Sequence, residues 1–357
     1  MARQHLEAVR QRLADAGIDP DIAGEVEQRE AALQQLHELD EPAVRNLIEV
    51  QLAWLQKGAK RLGLTSLDIV TASSLPGGSI NAMCANDPGD DSHHIFADGE
   101  LLVFCNALGK LVATAFSTAP DTTSAPYILA APIFGPLRAH FDAALTKRMF
   151  DLFTAVLFTG RSRVSEPWVP EEGSILVAAG LAWGMEAFVI AHELAHGAAG
   201  HLSGDTLSAA APTGDAAALS QAQEFEADGL AFELTLAASW GTPLLAFQLL
   251  GPYVFLRGIE LLEHAQALFG PEAKIFESHP ATLERLLRMR QAIPTALTDL
   301  ELKMLTITAM ARIDGVFLAW RGSLMRFLEE AKTDGYAPKD GRVPYRPSFE
   351  RPAILGG

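Results

Sequence analysis

Cysteine is nearly missing from this 357-residue chain: Cys84 and Cys105 are the only two. Neither belongs to a C-x-x-C pair, and two are too few for a disulfide framework. A reducing, cytoplasmic compartment is the simpler reading, with one bridge between them left open. Basic charge is also scarce. Lys and Arg total 28 against 44 Asp and Glu, a net charge of −16. That argues against a nucleic-acid partner, because phosphate binding wants a basic face; acidity by itself mostly means solubility. The N-terminal MARQHLEAVRQRLADAG has no apolar h-region, so no signal peptide is expected. Long charge-free apolar runs are lacking too. Residues 174–191 come close but hold Glu186, and 244–256 is short and contains Pro252. Both are expected as buried core helices, and membrane association is not expected. No internal repeat emerges.

What is present fits a globular protein: 49% hydrophobic and 20% charged residues, long enough for a large core and one or two domains. Helical periodicity covers 2–16 and 22–62, punctuated by Pro20 and Pro42. Residues 63–100 turn rich in Gly, Pro, Asn and Asp; loops and two short strands are expected, near 67–71 and 94–97. Asp98-Gly99 then turns into a helix from Glu100 to about Phe116. His93 and His94 read as exposed loop histidines. A linker follows at 118–136, then an amphipathic helix at 137–159 ending at Gly160. After the loop at 204–214 come helices at 216–240, 244–269 either as two with a break near Pro252 or as a single kinked one, 280–292, 298–312 capped by Thr298, and 315–331. The tail from Asp334 is expected to be extended.

The chemistry sits at the end of the most apolar stretch, SILVAAGLAWGMEAFVIAHELAHGAAGH. His192, Glu193 and His196 spell H-E-x-x-H. On a helix, residues four apart share a face, so both imidazoles point one way. Glu193 stands beside the same centre without being a ligand. A hydrolytic zinc site needs this from one helix. Chance predicts only roughly 0.02 such matches in a chain of this composition.

A third protein ligand is needed, leaving a fourth position for water. The metzincin pattern H-E-x-x-H-x-x-G-x-x-H fails, because Ala199 and Leu202 stand at its glycine and histidine positions. His201 lies one short, about 140° round an ideal helix from His196, and reads as a structural histidine or one backing a ligand. The other route is a carboxylate from the next helix, QAQEFEADGLAFEL. Glu224 and Asp228 share a face, and Glu226 points nearly opposite. Glu224 would then bind the metal while Asp228 accepts a hydrogen bond from a ligand histidine. An exposed acidic face on an amphipathic helix fits the same spacing.

A-H-E-L-A-H, then E-F-E-A-D, then Ser278-His279-Pro280 ahead of LERLLRMR resembles the M48 metallopeptidases, gluzincins that include HtpX-type and CaaX-processing proteases. The resemblance covers roughly residues 174–292, and the three blocks together are fairly specific. It implies one Zn2+ per chain on His192, His196 and Glu224. Glu193 would be the general base, Asp228 the carboxylate behind a ligand histidine, and His279 a catalytic group meeting the substrate or the oxyanion. His279 also reads plainly as the residue before a helix that starts at Pro280. Only 27 residues lie between His196 and Glu224, a short connection for that family, and 1–90 and 300–357 do not match it.

The expected fold is mainly α (α+β): a zincin-like metallopeptidase core with a small β element and added N- and C-terminal helices. The expected division is an N-terminal helical region at 1–62, the core at 63–292, and C-terminal helices with a tail at 293–357. The expected function is a zinc-dependent endopeptidase acting on a peptide or protein, its substrate extended along an edge strand, with His94–Ala97 as the candidate strand. The alternative is a catalytically silent zinc-binding regulatory protein on the same fold.

Overall fold

Helix dominates, with one small sheet near the front. The computed structural model describes residues 41–64, 67, 70–75, 80, 82–86, 93–116, 142–201, 215–242, 244–270 and 281–333. The expectations for 2–40, 118–136, 204–214, the tail from Asp334 and His279 fall outside the described residues. In chain order come α1 (Pro42–Leu62), β1 (Val70–Leu75), β2 (Ala82–Asn86), β3 (His93–Asp98), α2 (Gly99–Ala115), α3 (Ala143–Thr159), a 3-10 turn (Ser162–Val164), α4 (Glu172–Ala198), α5 (Asp215–Ser239), α6 (Leu245–Ala267), α7 (Thr282–Ala296) and α8 (Leu300–Thr333).

An apolar helix with no polar stripe must be surrounded by protein or lipid. In this fold α4 is surrounded by protein: it packs on α2, α5 and α6, and touches α1, β2 and β3. Small residues bring the backbones together. A Cβ at Gly184 would stand 2.2 Å from the Gln248 carbonyl oxygen, and one at Gly109 would stand 2.8 Å from that of Ala178. Both α4 and α6 are long and apolar enough to cross a membrane, so length does not set α6 apart as expected. Their apolar windows are 72% and 83% buried inside the protein, as core helices are.

Pro252 does not break α6. Proline lacks an N–H, so the Gln248 carbonyl loses its partner four residues on. That carbonyl faces Gly184, where α4 comes closest. The helix runs on because its buried residues continue on both sides of the proline, from Phe247 and Leu249 to Leu256 and Ile259. Likewise α8 is one helix, not two. Ile313, Val316, Phe317 and Trp320 carry one buried face through Gly315. Its N-terminus is capped by Asp299, whose Oδ1 accepts from the Leu302 N–H at 2.8 Å, in place of Thr298.

Among the described residues the sheet has three strands, one more than expected, in the order β1-β3-β2. β3 pairs in parallel with β1, Ala72 facing Ile95, and antiparallel with β2, Cys84 facing Ile95. Asp98 ends β3 and caps α2, accepting from the Glu100 N–H at 2.9 Å. The strand holding His94–Ala97 is therefore the central one, with both ladder edges taken. It cannot receive a substrate strand, and that expectation is corrected.

A candidate metal centre at the end of the central helix

On α5 the buried face runs Glu224, Ala227, Asp228, Ala231, at helical steps of three and four. Glu224 and Asp228 keep 8% and 6% of their surface, so the exposed-face reading is excluded. They are buried because that face packs on the C-terminal turns of α4. Gly58 on α1 lets the next turns of α5 sit close, since a Cβ there would meet the Leu234 carbonyl oxygen at 2.6 Å.

The packing brings three ligand-type side chains together. His192 Nε2 lies 3.2 Å from His196 Nε2 and 3.2 Å from Glu224 Oε2, and His196 Nε2 lies 3.5 Å from Glu224 Oε1. Four ligands around zinc at about 2.0–2.1 Å stand about 3.3 Å apart at the corners of a tetrahedron. The two imidazole nitrogens and the Glu224 carboxylate, which turns one oxygen to each ring, stand at about that spacing. Among the described residues this is the one cluster of three or more His, Cys, Asp or Glu able to hold a metal ion.

Behind His192, its Nδ1 lies 3.0 Å from Asp228 Oδ1. Arg285 on α7 holds both oxygens of that carboxylate, Nε to Oδ2 and Nη2 to Oδ1, each at 2.7 Å. Burial would raise the Asp228 pKa, but the guanidinium holds it well below the usual carboxylate range. An ionised Asp228 only accepts, so Nδ1 carries a hydrogen, and the hydrogen on Nε2, facing Glu224 and His196, is the one a bound metal would displace. Burial alone would pull His192 down; its contacts with Asp228 and Glu224 outweigh that and lift it to about 9. The two carboxylates thus favour positive charge at His192, against the opposing Arg285.

Glu193 is partly open to solvent. Burial raises its carboxyl to about 7, with Glu224 adding to the rise, while His192 and the Cys84 backbone N–H of β2 oppose it. An acid poised there can take and return a proton near neutrality. The Cys84 thiol is pushed up to about 12 by burial and by Glu193, so it is held as the neutral thiol.

His192, Glu193, His196, Glu224 and Asp228 are brought together. His279 lies outside the described residues. Arg285 carried no expectation; its only sequence signal was its place in the LERLLRMR block. His93 is not an exposed loop residue. It is half-buried at the start of β3, and its imidazole lies on Gly197, where a Cβ would come within 2.9 Å of the ring. His94 bonds Thr71 and Ser73 of β1 on the other face of the sheet. Comparisons with protein-family models, curated proteins and solved structures gave no match.

Proposed function

We propose that this chain is a zinc-dependent endopeptidase of the M48-like type, working from His192, His196 and Glu224 with Glu193 as general base. The observation that carries the reading is the convergence of two imidazole nitrogens and a carboxylate, at 3.2–3.5 Å, next to a glutamate that is not a ligand. A zinc ion bound there would acidify a water toward a pKa of ~7 and polarise a carbonyl. Glu193 takes the proton from the attacking water and passes it to the leaving amine. Asp228 and Arg285 hold the His192 ring in the tautomer that presents Nε2.

The extended substrate lies along β2. That strand is an edge of the sheet among the described residues, and its Cys84 N–H already reaches Glu193. An edge strand can bind an extended peptide by main-chain hydrogen bonds, with little demand on sequence.

Metal analysis of the purified protein tests the reading. The expected result is one zinc per chain, casein hydrolysis that stops with a chelator, and zinc lost on dialysis from Glu224→Ala. A chain that binds no zinc overturns the proposal. One that binds zinc without chelator-sensitive hydrolysis of casein or of a peptide library is the silent regulatory protein instead.

A further inference from the structure

The second ligand histidine has a different backing from the first. α4 ends in a Schellman turn. Gly200 takes the left-handed conformation at φ +72°, its N–H bonds the Gly197 carbonyl at 3.1 Å, and the His201 N–H bonds the His196 carbonyl at 3.0 Å. In such a turn the residue after the glycine folds back over the last helical turn. Here that residue is a histidine, and it folds back onto a ligand. His201 Nδ1 lies 3.1 Å from His196 Nδ1, and His201 Nε2 lies 3.2 Å from Glu226 Oε2. The His201 side chain is 8% exposed and that of Glu226 is 65% exposed, so the chain of contacts runs from the site to solvent.

We propose that His201 and Glu226 are positioning residues that fix the tautomer of His196, and with it the direction of its metal-binding lone pair. The proposal rests on the zinc reading above. The hydrogen-bond directions follow from chemistry. A carboxylate accepts only, so Glu226 takes the Nε2–H of His201. An imidazole whose one hydrogen is on Nε2 is bare at Nδ1 and accepts there. His196 donates its Nδ1–H and leaves its Nε2 lone pair directed at His192 and Glu224. The opposite arrangement would put a hydrogen on His196 Nε2, where the ligand atoms converge. Glu226 thus acts at two removes from the site, although its α-carbon lies on a different face of α5 from Glu224.

Zinc affinity by competition with a chromophoric chelator, together with long-range 1H–15N NMR of the histidines in metal-free protein, tests this. Glu226→Lys puts a donor at the end of the chain, and His201→Phe removes the acceptor while keeping a ring. Each is expected to weaken zinc binding by about 10- to 100-fold, the usual effect of losing a group behind a ligand. Glu226→Gln keeps an acceptor oxygen and falls short of the lower end of that range. In wild-type protein the NMR spectrum reports His196 protonated at Nδ1, and in Glu226→Lys that signature is lost. A wild-type chain that binds zinc while Glu226→Lys and His201→Phe bind it equally well overturns the proposal. So does a wild-type His196 protonated only at Nε2. A wild-type chain that takes up no zinc overturns the underlying reading, and this proposal with it.

Discussion

Glu186 and Glu193 stand two turns apart on one face of α4, and burial raises both, to about 8 and about 7. Their neighbours differ. Glu186 sits in the core and receives a hydrogen bond from Gln51 Nε2 of α1 at 3.1 Å. Glu193 sits beside His192 and Glu224, under the edge strand β2. Burial puts an acid near neutrality at either place. Only at the second is there something for its proton to do. A raised acid is therefore a poor guide to a site unless a ligand cluster or a substrate edge lies beside it.

The sharpest way to break that contrast is turnover per bound zinc. Glu193→Gln is expected to keep zinc and lose about 10²- to 10⁴-fold in rate, the usual share of a positioned general base. Glu186→Gln is expected to leave turnover unchanged. Equal losses in both variants would mean that the two glutamates act as one proton path, and the contrast would fail.

A second measurement sharpens the claim that neighbours, not burial, decide what a carboxylate does. Asp228 is as buried as Glu186, yet Arg285 keeps it charged. Arg285→Met removes the guanidinium and leaves that buried charge with His192 alone, which costs up to about 3–5 kcal/mol. Urea unfolding reads this as a lower midpoint. Adding Asp228→Leu to Arg285→Met is expected to recover part of the loss. A double variant as unstable as the sum of the two single ones would show that the pair does not interact.

The sequence carried the site further than it carried the fold. H-E-x-x-H and the pair Glu224 and Asp228 were legible because helix spacing alone sets which side chains share a face. The Asp98-Gly99 turn into α2 was legible for the same local reason, a short acceptor side chain at a helix start. β2 was not: AMCAN shows no alternation of apolar and polar residues, and a strand this short is held by its partner β3. His201 read as a structural histidine or one backing a ligand, and it does touch His196; what an ideal helix could not show is that the turn at Gly200, where the helix ends, brings it there. Arg285 was invisible as a partner of Asp228, 57 residues earlier, because only the packing of α7 brings them together. At Pro252 the sequence left a break and a single helix open, and the structure has the single helix; the break read before Gly315 was overruled by a buried face that continues past it.

The smallest expected effect is also the most direct check on Glu186. Its carboxyl is held protonated in the fold by burial, opposed by the Gln51 hydrogen bond, at a pKa of about 8. In the unfolded chain it ionises at about 4.3. Between those values the folded state binds the proton and the unfolded state does not, so stability falls as pH rises. The fall begins above the unfolded value and levels off past the folded one. Glu186→Gln cannot ionise and escapes it. Its stability relative to wild type is therefore expected to increase by on the order of 2 kcal/mol between about pH 5 and about pH 7. Urea midpoints across that range measure the difference, which cancels the titration of every other group shared by the two proteins. A difference that stays flat with pH, or that moves in favour of wild type, would mean that Glu186 is ionised inside the core. Gln51 would then be compensating a buried charge, and the resemblance between the two glutamates of α4 would be one of position alone.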